Sequence, residues 1–245
     1  MKRVRFRLKT EWQVRQGTVE GEVVRTDSGE WAIGDVVLLP PCTPTKIVCV
    51  GRNYAAHAAE LGNEVPTNPL LFLKPPSAVV GPDEAIVLPQ STTVHYEGEL
   101  AVVIGRRCRN VRAEEANEAI LGYTCLNDVS DRDAQKWEKS WVRAKAFDTS
   151  APMGPVLVTP DEVEEPFHVV TRVNGEVRQD GRTDALIFPI PVLIETISAI
   201  MTLEAGDVIA TGTPAGVGPL VAGDIVEVEI DGIGVLRNPV RGPTE

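Results

Sequence analysis

Apolar positions along this chain fall into short runs bounded by turn-forming residues, and that pattern predicts many strands and few helices. Val19–Val23 alternates, Asp27-Ser28-Gly29 reads as a turn, and Val36–Leu39 runs apolar into Pro40-Pro41. Residues 1–42 are therefore expected to form a small β module, with 43–245 as the main domain. Ile47–Val50 predicts a buried strand, followed by an Ala-rich helix over Tyr54–Leu61 with Asn53 at its N-cap and Gly62 just past its end. A proline-punctuated extended stretch runs from Pro66 to Pro89. Leu100–Ile104 predicts a strand that His95–Glu99 leads into, Ala113–Leu121 a helix ended by Gly122, and Tyr123–Leu126 a short strand ending in Asn127-Asp128. Ser130 with Asp133 suggests a capping box opening the next helix.

The second half carries two hairpin signals. Asn174-Gly175 separates Val169–Val173 from Glu176–Arg178, and Asp231-Gly232 separates Val226–Ile230 from Val235–Leu236. Between them lies one helix, with Pro191 at its first position and Ile194, Ile197, Ala199, Ile200 and Met201 as its apolar side. Leu203–Ile209 and Leu220–Val226 echo each other around Ala-Gly-Asp, which reads as one turn chemistry used twice rather than as a repeat fold. The sum is a β-dominated α+β protein.

Composition narrows the class. The chain has 245 residues, 43% hydrophobic and 24% charged, the balance of a globular protein with one large core or a core plus an appendage. A formal charge of −11 argues against nucleic acid and anionic membranes as partners, though a local cation can still draw an anionic substrate into one pocket. No apolar stretch is long enough to span a membrane, and the basic start does not read as a secretory signal. Four cysteines without a C-x-x-C pair point to buried thiols in a reducing cytoplasm and away from cysteine-bound zinc.

Four constellations can carry chemistry. In His95-Tyr96-Glu97-Gly98-Glu99, an extended chain puts residues 95, 97 and 99 on one side, with the two carboxylates roughly 6.5 Å apart along the strand. At the mouth of a buried strand their repulsion is on the order of 4 kcal/mol at close range, which a cation removes. Oxygen-only donors suit Mg²⁺, Mn²⁺ or Ca²⁺, and Asp128 is the best third ligand. An exposed strand edge with solvated glutamates and a capping aspartate fits the spacing as well. His57 and Glu60, i and i+3 on one helix, can form a dyad in which the carboxylate orients the imidazole as a general base, or an ordinary surface pair. Arg132 can grip a carboxylate and Lys145 can neutralise a developing enolate, unless both are plain surface charge. Thr211–Gly218 is a Gly-rich loop able to approach a ligand or simply to cross the surface, and it lacks the ending of a phosphate-binding loop.

Taken in order, these segments resemble the fumarylacetoacetate hydrolase family. The matching stretches are Val50-Gly51-Arg52-Asn53-Tyr54 with His57 and Glu60, Phe72–Ser77, His95–Leu100, Gly122-Tyr123 to Asn127-Asp128 with Arg132-Asp133, Lys145–Asp148 and Thr211–Pro214. The resemblance implies the mixed β-roll of that family's C-terminal domain, with Glu97, Glu99 and Asp128 holding Mg²⁺ or Mn²⁺ (Ca²⁺ in some crystals). It implies His57 and Glu60 as the proton-moving dyad on a segment that can act as a lid. Lys145 is implied as a catalytic cation, Arg132 and Gln135 as substrate contacts, and Thr211, Gly212 and Thr213 as a pocket wall. It further implies a homodimer acting on a small carboxylate substrate through an enolate held at the metal. The expected activity is 2-hydroxyhepta-2,4-diene-1,7-dioate isomerase in aromatic-compound catabolism. The alternatives are an acylpyruvate C–C hydrolase or oxaloacetate decarboxylase and, in a different class, a non-catalytic metal-stabilised binding protein.

Overall fold

A computed structural model describes residues 1–91 and 93–243. Its largest sheet has twelve strands. The strand Gly98–Ile104 lies near its middle, antiparallel to Ile120–Asn127 on one side and to Val208–Ala210 on the other. Beyond Val208–Ala210 the sheet continues in parallel to Ile47–Gly51, which pairs antiparallel with Leu70–Lys74. Beyond Ile120–Asn127 it continues to Ala151–Val158, which pairs in turn with the first strand, Lys2–Leu8. A five-stranded sheet holds both predicted hairpins, and a three-stranded one joins Val94–Tyr96 to Ser130-Asp131 and Gly218-Pro219.

The unbroken apolar run of Gly98–Ile104 follows from burial on both faces. Leu100, Val102 and Ile104 join the core shared with Val169, Val228, Ile230 and Leu236 of the five-stranded sheet. Ala101 and Val103 face the opposite core with Ile47, Cys49, Leu126 and Met153. Ile47–Val50 divides the same way, Val48 and Val50 to the first core and Ile47 and Cys49 to the second. Strands buried on both sides lose the alternation that marks a half-exposed sheet. Val4, Phe6, Val24 and Val36 of the leading segment lie in the first core too. All four cysteines are free and buried. Among the described residues no helix is long and apolar enough to cross a membrane.

Several local expectations shift. Helix α1 runs Ala55–Glu60 with Tyr54, not Asn53, at its N-cap; Gly62 has the positive φ of 68° expected past its end. The Val19–Val23 strand is broken by a turn at Gly21 into Arg15–Glu20 and Val23–Thr26. Residues Ala113–Ala119 are 3₁₀ rather than α-helical, and the following strand begins already at Ile120. Ser130 does not cap: α2 spans Arg132–Trp137, and Asp131 accepts from the N–H groups of Asp133 and Ala134 at 3.0 Å each. A short α3, Val142–Lys145, follows Trp141, whose backbone is left-handed. Helix α4 starts at Ile190, so Pro191 is its second residue, and it buries Ile190, Leu193, Ile194, Ile197 and Ser198 while leaving Ile200 exposed.

Both hairpins form, the first over the two residues Asn174 and Gly175 and the second over the three residues Asp231, Gly232 and Ile233. His168–Val173 pairs with Glu176–Arg182, with Asn174 and Gly175 both at positive φ, and Ile225–Ile230 pairs with Gly234–Arg241. The two Ala-Gly-Asp echoes make one turn twice. Asp207 Oδ2 accepts from Glu204 N and Asp224 Oδ2 from Val221 N, each at 2.8 Å.

Candidate active site

The chain breaks its extended run at Glu97, between the strands Val94–Tyr96 and Gly98–Ile104. Asn127 Oδ1 accepts from Glu97 N at 2.9 Å, and Asp128 N donates to Glu97 O at 2.8 Å, so the break is tied directly to the end of the neighbouring strand. Gly98 is needed here because a Cβ would collide with the Thr171 hydroxyl. Glu97, Glu99 and Asp128 consequently converge: all three are buried, and one carboxylate oxygen from each lies within 4.8 Å of the others.

Three buried cations surround them. Lys145, presented by α3, donates from Nζ to Glu97 Oε2 at 2.6 Å and to Asp128 Oδ2 at 2.8 Å. Arg132, at the start of α2, pairs with Glu97 Oε1 and donates to Gln135 Oε1 at 2.9 Å. Lys74 lies beneath, its Nζ 2.9 Å from Asp128 Oδ1 and bonded to the carbonyls of Val129, Lys145 and Ser150. Glu99 is served least well, with one N–H, that of Gly212, at 2.8 Å.

Titration follows this arrangement. Burial pushes Glu99 well above the usual carboxylate range, and the charges of Asp128 and Glu97 push it further. Burial opposes ionisation of Glu97 too, but Arg132 and Lys145 overcome it and hold that carboxyl below its usual range. Burial lowers Lys145, but Asp128 and Glu97 outweigh it and the ammonium ends up raised. Three convergent carboxylates, one of them short of donors, fit a hard divalent cation: the donors are all oxygen, and Asp128 Oδ1 makes no well-aligned hydrogen bond despite the nearby lysine.

The carboxylates line a cavity of about 480 Å³, walled by His57, His95, Arg52, Phe72, Arg132, Gln135, Trp141, Lys145 and Thr213 among others. His57 is buried, with Nδ1 3.3 Å from Glu60 Oε2, and Glu60 Oε1 accepts from Gly216 N at 3.0 Å. Of the residues singled out in the sequence, Glu97, Glu99, Asp128, His57, Arg132, Gln135, Lys145 and Thr213 line this one cavity. Glu60 stands behind His57. Thr211 and Gly212 stand behind the wall: the Thr211 hydroxyl donates to Leu100 O, and Gly212 acts through its N–H on Glu99. Thr213 donates to Gly98 O and accepts from Gln179 Nε2.

Sequence reasoning assigned no role to Lys74, His95, Arg52 or Trp141. Lys74 had a signal, a lysine closing the apolar run Leu70–Leu73, which ends fully buried. His95 shares the side of Glu97 and Glu99, and burial, aided by Arg132, lowers it to about 4, so its ring is neutral at pH 7.

A β-rich scaffold with an acidic, cation-buttressed cavity at a strand break defines a class of enzyme folds, and comparison places the chain within it. The model of the fumarylacetoacetate (FAA) hydrolase C-terminal domain matches residues 46–241, and this protein belongs to that family. A relative in Bacillus subtilis, oxaloacetate tautomerase YisK, is 45% identical over 225 residues, covering 86% of this chain and 75% of its own. Among solved structures, the 5-carboxymethyl-2-hydroxymuconate delta-isomerase of Mycobacterium smegmatis superposes with a TM-score of 0.91 at 45% identity over the full length of both chains. The 2-hydroxyhepta-2,4-diene-1,7-dioate isomerase of Mycobacterium marinum does so at 0.90 and 42%, again covering both chains completely.

Proposed function

We propose that this protein moves a proton next to the 2-oxo group of a small dicarboxylate, interconverting its keto and enol or its allylic isomers, with 2-hydroxyhepta-2,4-diene-1,7-dioate as the first candidate substrate and oxaloacetate as the second. The observation that carries the reading is the His57–Glu60 pair opening onto the same cavity as Glu97, Glu99 and Asp128. The three relatives named above, a tautomerase and two isomerases, carry activities that are proton shifts of this kind, which supports the reading.

The three carboxylates would hold Mg²⁺ or Mn²⁺, which, when bound, supplies Lewis-acid polarisation of the substrate's oxo group. The chain's own residues do the rest. Glu60 accepts from His57 Nδ1–H and so leaves Nε2 free to take the proton from the carbon beside the oxo group and to return it elsewhere. The Lys145 ammonium, held beside Glu97 and Asp128 at the cavity, would offset the negative charge that develops on the enolate oxygen. Arg132 and Gln135, already joined to each other, bind the adjoining carboxylate. Phe72 and Trp141, in edge contact at 5.5 Å, keep one wall apolar and exclude water from the enolate.

The test is a side-by-side panel: enol–keto interconversion of oxaloacetate followed by absorbance, isomerisation of the hepta-2,4-diene dioate, decarboxylation of oxaloacetate, and cleavage of acetylpyruvate. Each is run after chelation, after Mg²⁺ restoration, and with His57→Ala. Metal-dependent, His57-dependent proton shifts support the reading. Cleavage faster than any proton shift replaces it with hydrolysis, and Mg²⁺ that only raises the melting temperature replaces it with a binding protein. The same reading carries a homodimer, which sedimentation equilibrium measures.

A further inference from the structure

The link between Ile47–Gly51 and α1 contains a conformation that most side chains resist. Arg52 has φ 58°, in the left-handed region where glycine or asparagine sits more easily. The chain on both sides prevents relaxation. Gly51 is paired with Leu70 in the large sheet. Asn53 is fully buried; its Nδ2 donates to Phe188 O at 3.0 Å and Thr211 O at 2.8 Å, and its Oδ1 accepts from Phe188 N at 2.8 Å. Behind it, a Cβ on Gly212 would lie 2.7 Å from Asn53 Cβ, so the loops are in direct apposition. The backbone needs only a residue tolerant of positive φ. An arginine held there against its preference points to a use for the side chain.

Arg52 is one of the residues that line the cavity. The other cations at the cavity are engaged: Lys145 with Glu97 and Asp128, Arg132 with Glu97, Lys136 with Asp133, and Lys74 below with Asp128. Among the described residues the Arg52 side chain makes no hydrogen bond, ion pair or ring contact. A guanidinium offers five donors in a planar fork matched to a carboxylate, and this one has none of them committed.

We propose that Arg52 is the specificity-determining residue that binds the second, distal carboxylate of the substrate, so that the strained turn is retained to set dicarboxylates apart from monocarboxylates. This rests on the reading of the cavity as a 2-oxo acid site. The metal-side carboxylate belongs to Arg132 and Gln135, and Arg52 recognises the other end of the molecule.

The test is calorimetric titration of the Mg²⁺-supplemented protein with 2-oxoglutarate and with 2-oxopentanoate, which has the same chain length and lacks the distal carboxylate. Wild type should bind the dicarboxylate about tenfold tighter or more, the scale of one charge-assisted bidentate contact. Arg52→Asn should bring the two ligands within about twofold, and Arg52→Lys should keep part of the preference. The melting temperature of Arg52→Asn should equal or exceed that of wild type, since asparagine suits the backbone; a merely structural arginine would lower it. Equal affinities in wild type, or a preference that survives Arg52→Asn, overturns the inference. The substrate panel separates this from the reaction itself. A preference lost in Arg52→Asn, with no wild-type turnover of any panel member, supports the anion site and sinks the proton-transfer reading. Turnover with an unaltered preference sinks the anion site alone.

Discussion

Two buried aspartates, Asp128 and Asp207, show how the same side chain becomes a reactive centre in one place and masonry in another. Asp207 sits in the turn before Val208–Ala210 and is saturated: Oδ1 accepts from Thr45 N at 3.0 Å, Thr45 Oγ1 at 2.7 Å and Lys46 N at 3.2 Å, while Oδ2 accepts from Glu204 N and pairs with Lys46. Asp128 shares its burial with Glu97 and Glu99, and its partners are ammonium groups rather than a shell of N–H donors. A buried carboxylate saturated by neighbours is fixed and inert, whereas several gathered around too few donors must either take up a proton, as Glu99 is pushed to do, or hold a cation.

Breaking the functional side gives the largest effect. His57→Ala should lower kcat by about 10²–10⁴-fold, the usual worth of a general acid–base, with the Mg²⁺-induced rise in melting temperature retained. Loss of that rise would place His57 among the metal-holding groups instead. Next is Lys74→Met, which leaves Asp128 and three carbonyls without their shared cation. It should cost about 3–5 kcal/mol without metal, and clearly less with saturating Mg²⁺, because the ion supplies positive charge to the same carboxylate. Urea titrations with and without Mg²⁺ measure the difference, and equal costs would separate Lys74 from the metal site.

The inert side breaks differently. Asp207→Asn should destabilise by about 1–3 kcal/mol, the cost of leaving buried donors poorly matched, with kcat per folded molecule unchanged. It should also flatten the acid limb of stability. Burial opposes ionisation of Asp207, but its bonds from Lys46, Glu204 and Thr45 hold the folded pKa below the ordinary value. Its contribution is therefore fully present above the unfolded aspartate pKa, near 4, and is lost as pH falls through the lower folded value. An acid limb identical in the variant removes Asp207 from that role. The smallest effect is Thr211→Val, which deletes a hydroxyl bonded to Leu100 O and should cost about 1 kcal/mol with kcat/KM within twofold. A larger loss of kcat/KM would return Thr211 to the substrate wall.

Local chemistry determined what the sequence shows by itself. Asn174, Gly175 and Gly232 take up positive φ and so mark their hairpins, and the paired Ala-Gly-Asp turns repeat one side-chain bond three residues back. Apolar runs located the central strands, and the ordered motifs located the acids and the histidine. The expectations that failed depended on distant partners. Asn53 is drawn from its cap by Phe188 and Thr211. Ser130 bonds Asp128 O instead of capping α2. The cavity likewise is assembled from residues 50–63, 72, 93–99, 128–145 and 213. Which lysine is buried beneath the acids, and which arginine is left without a partner, depends on long-range packing, because burial and charge compensation are properties of the neighbourhood rather than of the residue.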